Sequence, residues 1–235
     1  MADNIGNKAA HDYHLDIAPA QEGFYVKGVA HSDWGMQNRL SRIFRPESGN
    51  TVMLAFDHGY IMGPTAGLER VDLVIPALAP YVDVLMGTKG VIRSCIPPTI
   101  PAAKCVRLTY DSTVLYDDMS NGGGFACDME NAIRMNADCV AVQTFIGAPG
   151  ESRSLELLCR AADAGARYGI PTLGVVAVGK QMERTERFFL LATRVLAENG
   201  ANIVKSYYCD GFERVAAACP VPIVIAGGKK LPELD

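Results

Sequence analysis

Seven short apolar segments, separated by stretches of helical periodicity, constrain the fold of this chain most strongly. They begin at Thr51, Val82, Ala103, Asp138, Pro171, Asn202 and Val221. They lack the strict alternation of a half-exposed sheet, so each is typical of a strand that is covered on both faces. Strands that alternate with helices at a spacing of roughly 30 residues predict βα units and a parallel α/β sheet.

A closed barrel fits this pattern better than an open doubly wound sheet. No G-x-G-x-x-G motif follows the first strand, and polar residues cluster at the carboxyl ends of several strands, where barrel enzymes place their chemistry. We therefore expect a (β/α)8 TIM barrel. Because the sequence stops shortly after the seventh strand, we expect it to be truncated after strand 7, with unpaired edges on strands 1 and 7 and low solubility.

The length favours a single domain over residues 1–235, since barrels of this size form one core. Residues 1–50 are expected to form a tail and a short plug helix, and residues 51–235 the barrel without strand 8. Either Ser32 or Asp33 is a candidate N-cap of the plug helix. Its predicted apolar side consists of Trp34, Leu40, Ile43 and Phe44.

Charge and composition exclude several classes of protein. The 22 basic and 26 acidic residues give a net charge of −4 without a basic stripe, so nucleic acid is not an expected partner. The N-terminal segment lacks an apolar core, so we expect a cytoplasmic protein without membrane attachment. The seven cysteines form no CxxC pair, and His11 and His14 lack further ligands nearby, so we predict no metal site.

Lys205 is the strongest candidate for a catalytic residue. It is the only charged residue of an apolar strand, and the period of two places it on one face with Ile203 and Tyr207. If that face points inward, desolvation lowers the pKa of the amine and leaves a nucleophile able to attack a ketone. The alternative is a lysine at a strand end that extends into solvent, and this strand alone does not decide between the two.

Asp57 and His58 follow the first strand and bring a carboxylate and an imidazole to the predicted mouth of the barrel. They are candidates for proton transfer, although an isolated Asp-His pair is more often a loop cap beside a satisfied polar residue. Lys89 at the end of the second strand either attracts an anion or is a surface charge.

Gly227, Gly228 and Lys229 follow the seventh strand, where barrels commonly bind phosphate through backbone N–H groups. This favours a phosphorylated substrate, although two glycines after a strand can also form an ordinary turn. The glycines at 122–124 lack a following Lys-Ser or Lys-Thr, so we predict a plain loop there.

Several of these segments, taken in order, resemble a known family. They are TVMLAFDHGY, GLERVDL, VDVLMGTKG, IVKSYY and CPVPIVIAGGKKLPE, and the likeness covers roughly residues 24 to 233. The chain resembles the 3-hydroxy-5-phosphonooxypentane-2,4-dione thiolases of autoinducer-2 breakdown, which are similar to archaeal-type class I fructose-bisphosphate aldolases. The resemblance implies a homodecamer in which Lys205 forms the imine, Asp57 and His58 lie nearby, and Gly227 and Gly228 hold phosphate.

The resemblance also implies the reaction. Lys205 is expected to condense with a phosphorylated ketone, and coenzyme A serves as a co-substrate rather than as a bound cofactor. The aldolase branch carries an acid/base tyrosine on the fifth strand, whereas the segment from Gly174 has none, which favours the thiolase. The alternatives are a class I aldolase of the fructose-bisphosphate type and an inactive fragment that only binds a phosphorylated ligand.

Overall fold

The computed structural model describes residues 24, 26–30, 32–116, 123–177 and 184–227. Its strands are β1 (Met53–Ala55), β2 (Val84–Thr88), β3 (Ala103–Arg107), β4 (Thr109–Tyr110), β5 (Gly124–Phe125), β6 (Cys139–Thr144), β7 (Thr172–Val176), β8 (Ile203–Tyr207) and β9 (Ile223–Ala226). Its helices are α1 (Trp34–Ile43), α2 (Gly59–Met62), α3 (Val71–Leu78), α4 (Lys89–Cys95), α5 (Met129–Arg134), α6 (Glu151–Tyr168), α7 (Glu186–Glu198) and α8 (Phe212–Ala218).

The main sheet contains seven strands in the order β1-β2-β3-β6-β7-β8-β9, and every neighbouring pair is parallel. The sheet curves into a nearly closed barrel with helices outside it, which confirms the predicted α/β barrel class. All seven predicted strands are present. A parallel barrel brings the carboxyl ends of its strands to one mouth, so residues that end different strands meet there.

Two apolar clusters cover the two faces of the sheet. One lies between the strands and the outer helices and contains residues such as Leu85, Val106 and Val204. The other fills the interior, where Met86, Cys105 and other inward residues pack together. The period of two along each strand therefore assigns alternate residues to the interior, as continuous apolar strands predict.

Helix α1 packs against the interior cluster of the barrel. Asp33 is its N-cap, with the side chain accepting a hydrogen bond of 2.9 Å from the backbone N–H of Met36. Leu40 and Ile43 are buried in the interior cluster. The prediction for Trp34 is wrong, because its side chain is 78% exposed and Met36 occupies the inward position instead.

The antiparallel pair formed by β4 and β5 was not predicted from the sequence. The loop prediction for 122–124 is wrong at Gly124, which lies in β5, while Gly122 lies outside the described residues. Gly123 has a φ of 50°, and a Cβ there would lie 1.7 Å from the carbonyl oxygen of Tyr110. Only glycine allows the two backbones to approach this closely.

The plug helix generates a stability prediction. Replacing Leu40 by alanine removes a side chain that is 1% exposed, so we expect the free energy of unfolding to fall by about 2–5 kcal/mol. Replacing Trp34 in the same helix should change it by about 0.5 kcal/mol or less, because that side chain is mostly in solvent. Urea denaturation measures both, and equal losses would contradict the assignment of the buried face.

Candidate active site

Lys205 lies in the middle of β8, at the level where the strand approaches the barrel mouth. Ile203, two residues earlier, is completely buried in the interior cluster, so the side chain of Lys205 belongs to the inward face. Its strand neighbours in the ladder are Val175 of β7 and Val224 of β9. On the sheet, Lys205 is therefore flanked by an apolar residue on each side.

Burial lowers the pKa of the Lys205 amine below its ordinary value. The carboxylate of Asp57 acts in the opposite direction and raises it, whereas the positive charge of Arg107 lowers it further. The net pKa is lowered, which increases the fraction of the neutral, nucleophilic amine near neutral pH.

Asp57 and Arg107 form a buried ion pair next to this lysine. Their side chains are only 6% and 4% exposed, and the Arg107 Nε donates a hydrogen bond to Asp57 Oδ2. Burial alone raises the pKa of Asp57, but the charge and the hydrogen bond of Arg107 outweigh it, with Lys205 and His58 adding to the effect. The net pKa of Asp57 lies below its usual range, so this carboxyl is ionised at neutral pH.

One nitrogen of the Arg107 guanidinium lacks a hydrogen-bond partner among the described residues. This atom, Nη1, is buried. Leaving a buried donor unsatisfied costs about 1–3 kcal/mol, and such a group in a folded protein calls for an explanation.

Tyr60 and Gln143, together with Asp57 and Arg107, form a polar layer at the barrel mouth. The Tyr60 hydroxyl donates a hydrogen bond of 2.6 Å to Gln143 Oε1, and the Arg107 guanidinium lies 5.0 Å from the centre of the Tyr60 ring. Burial raises the pKa of Tyr60 to about 12; Arg107 lowers it, and Asp57 raises it again. The phenol is therefore protonated at neutral pH and acts as a donor, not as a base.

Asp57 and His58, which the sequence analysis treats as a pair, lie in different surroundings: Asp57 is buried and His58 is exposed. His58 is exposed and stands at the N-terminus of α2 without a side-chain capping hydrogen bond. Lys89 is also exposed, and its Nζ donates to the carbonyl oxygen of Ala126. Of the two readings for Lys89, this contact favours a surface residue that ties the start of α4 to the segment after β5.

The predicted phosphate site is only partly described. Gly227 follows β9, the strand next to Lys205, and a Cβ at Gly227 would meet no described atom within 4 Å. Gly228 and Lys229 lie outside the described residues.

A cavity of about 220 Å³ opens beside the polar layer. It is lined by Asp57 and Tyr60 together with apolar residues such as Leu68, Val71 and Val91. The cavity gives the carboxyl end of β1 a partly apolar recess next to the charged residues.

The described residues contain no group of three or more His, Cys, Asp or Glu side chains that is arranged to hold a metal ion. His11 and His14 lie outside these residues. Within the same described part of the chain, none of the helices combines the length and the apolar character needed to cross a bilayer.

Sequence reasoning missed Arg107, Tyr60 and Gln143. Arg107 carries a related signal, since it is a charged residue at an inward position of a strand, after Ala103 and Cys105, although Lys104 on the other face makes the strand less distinctive than that of Lys205. Tyr60 and Gln143 lie 83 residues apart and meet only because α2, which follows β1, and the end of β6 lie at the same mouth.

A family model described as DeoC/LacD family aldolase matches residues 51–234 of the chain. Proteins of Photorhabdus laumondii and Salmonella paratyphi A, both called 3-hydroxy-5-phosphonooxypentane-2,4-dione thiolase, are each 50% identical to it over 236 residues. These alignments cover 100% of this chain and 80% of each relative. The chain belongs to the DeoC/LacD aldolase family.

Solved structures share the fold. A Schiff-base-forming fructose-1,6-bisphosphate aldolase has a TM-score of 0.73 at 21% identity, over 84% of this chain and 82% of that chain. An archaeal fructose 1,6-bisphosphate aldolase has a TM-score of 0.72 at 22% identity, with the same coverage. At these identities the likeness concerns the barrel itself.

The ion pair generates a pH prediction. Replacing Asp57 by asparagine removes a charge that raises the pKa of Lys205, while burial and Arg107 continue to lower it. The pKa of Lys205 should therefore fall. The rate of imine formation with a phosphorylated ketone can be measured by cyanoborohydride reduction as a function of pH. The pH range in which this rate falls on the acid side should move to lower pH.

Asp72→Asn is the matched control, because Asp72 is also paired with an arginine, Arg70, but at the surface. In that variant, the acid side of the pH profile of imine formation should stay where it is in the wild-type protein. An unchanged profile or a shift to higher pH in Asp57→Asn would show that Asp57 does not act on Lys205 in this way.

Proposed function

We propose that the protein is a Schiff-base-forming acyltransferase. It would cleave 3-hydroxy-5-phosphonooxypentane-2,4-dione with coenzyme A to acetyl-CoA and dihydroxyacetone phosphate. The observation that carries this proposal is the inward amine of Lys205 with its lowered pKa, beside the buried Asp57–Arg107 pair, in a chain that is 50% identical to proteins named as this thiolase. A partly buried amine with a lowered pKa is suited to attack a ketone.

The first step is imine formation. The Lys205 Nζ attacks the ketone carbon next to the phosphorylated carbon, water leaves, and the nitrogen acquires a positive charge as the protonated imine. Asp57 is ionised and lies close enough to affect the charge on this nitrogen. Its carboxylate would therefore stabilise the iminium, which serves as the electron sink of the next step.

The second step is thiolysis. Attack by the coenzyme A thiolate on the remaining carbonyl carbon forms a C–S bond and places a negative charge on the acyl oxygen. Collapse of this intermediate breaks the C–C bond, and the electron pair moves into the iminium to give an enamine on Lys205. Protonation of the enamine carbon and hydrolysis then release dihydroxyacetone phosphate and the free amine.

Proton transfer can be divided between Asp57 and His58. A carboxyl whose pKa lies below its usual range is a weak base, so Asp57 fits charge stabilisation better than removal of the thiol proton. His58 is exposed at the mouth, where a thiol arrives from solvent, and an imidazole is the side chain that enzymes use most often as a general base. We assign the thiol proton to His58.

The phosphate of the substrate would lie against Gly227, Gly228 and Lys229. Gly227 follows the strand that pairs with β8, and in the substrate the phosphorylated carbon is next to the ketone, so adjacent strands would hold the two groups. Backbone N–H groups and the Lys229 ammonium would supply the contacts that an anion needs.

The wider setting follows from the same proposal. A thiolase of this kind acts in autoinducer-2 breakdown, and thus in quorum sensing, and its co-substrate coenzyme A places it in the cytoplasm. We extend the proposal to a single domain with no bound cofactor, no resident metal and no nucleic-acid or membrane partner. A homodecamer is expected, which light scattering on the purified protein can test.

Aldol cleavage of fructose 1,6-bisphosphate is the main competing activity. In the aldolase branch, an acid/base tyrosine on the fifth barrel strand acts on the substrate hydroxyl. The corresponding strand here, β7, has Val175 opposite Lys205 and contains no tyrosine. Thiolysis needs a base for a thiol instead, so the absence of this tyrosine weakens the aldol reaction specifically.

The assay that tests this proposal compares the two reactions. We expect the protein to release acetyl-CoA from the phosphorylated dione only when coenzyme A is present. Cleavage of fructose 1,6-bisphosphate should be slower by about 10²- to 10⁴-fold, the usual contribution of one acid/base group. Retro-aldol turnover as fast as thiolysis would favour the aldolase, and acetate release without coenzyme A would exclude a thiolase.

A further inference from the structure

The unsatisfied Nη1 of Arg107 is a built-in donor at the barrel mouth. Arg107 is 4% exposed, its Nε is used by Asp57, and its guanidinium lies over the ring of Tyr60, which restricts its movement. These contacts restrain the guanidinium. Its Nη1 is buried and has no hydrogen-bond partner within the part of the chain that the structure describes. A fixed, desolvated donor is the arrangement that stabilises a charge developing in a transition state.

The position of Arg107 indicates which part of the substrate it meets. Lys205 lies on β8, and the Gly227 backbone follows β9, the next strand. Arg107 ends β3, which is separated from β8 by β6 and β7 and so lies on the opposite wall of the interior. A substrate joined to Lys205, with its phosphate at Gly227, extends its acyl end away from the phosphate and towards β3.

We propose that Arg107 Nη1 binds the acyl carbonyl oxygen and stabilises the oxyanion formed when the thiolate attacks. This assignment rests on the proposed function. In this step the C–S bond forms, the carbonyl electron pair moves to oxygen, and the charge-assisted hydrogen bond from Arg107 strengthens. The same electron pair then re-forms the carbonyl double bond as the C–C bond breaks. Arg107 is thus a catalytic residue for thiolysis, whereas it affects imine and enamine formation only through its charge, which acts on Asp57 and Lys205.

A half-reaction separates these roles. Dihydroxyacetone phosphate has no acyl group, yet it forms the same enamine on Lys205, and this exchanges a hydrogen of its hydroxymethyl carbon with deuterated water. Arg107→Lys keeps a cation for Asp57 but loses the second donor of the planar fork. We expect thiolysis to fall by about 10²- to 10³-fold while the exchange rate changes only a few-fold.

Arg93→Lys is the matched control, because Arg93 is exposed in α4 and should leave both rates unchanged. Equal losses of thiolysis and exchange in Arg107→Lys would overturn the proposal, since they would mean that Arg107 acts only through Asp57 and Lys205. Wild-type rates in both assays would overturn it as well.

A second measurement needs no variant and covers the case in which Arg107→Lys does not fold. The dione labelled with ¹³C at the acyl carbonyl is bound to the wild-type protein without coenzyme A, and the infrared difference spectrum is recorded. A guanidinium donor should lower the carbonyl stretching frequency relative to that in water, and an unchanged or higher frequency would contradict the contact. Wild-type protein that exchanges no hydrogen and releases no acetyl-CoA would instead contradict the proposed function itself, and this assignment with it.

Discussion

The buried ion pair between Asp57 and Arg107 is the interaction on which the candidate site depends. It joins the end of β1 to the end of β3 across the intervening strand, at the mouth of the barrel. Two charges are stable there only because each satisfies the other, and removal of one partner typically costs about 3–5 kcal/mol. The pair also sets the electrostatics at Lys205, since one member raises the pKa of the amine and the other lowers it.

The strands could be predicted because each apolar run carries its own signal. The two apolar clusters show that both faces of the sheet are covered, as such runs predict. Elements with little internal pattern were missed. β4 and β5 have two residues each, too few to show a period, and they form because their backbones meet. Trp34 fits the helical pattern of α1, but the turn that faces the interior is set by tertiary packing around Met36.

Lys205 could be identified because a lone charge in an apolar strand is informative without any knowledge of its neighbours. Arg107 was harder to identify, because Lys104 lies in the same strand and only the period of two separates the inward Arg107 from it. The links from Tyr60 to Gln143 and from Arg107 to Asp57 depend on which strand ends are adjacent, and the local sequence does not encode this. The contrast between a buried Asp57 and an exposed His58 likewise appears only once α2 turns away after β1.

The central claim is that Lys205 is the imine-forming residue. The most direct test is borohydride reduction of the protein in the presence of the phosphorylated dione or dihydroxyacetone phosphate, followed by peptide mass mapping. The account predicts one adduct, on the peptide that contains Lys205, and none in Lys205→Ala. An adduct on Lys89 or Lys229, or no adduct under conditions of full turnover, would contradict it.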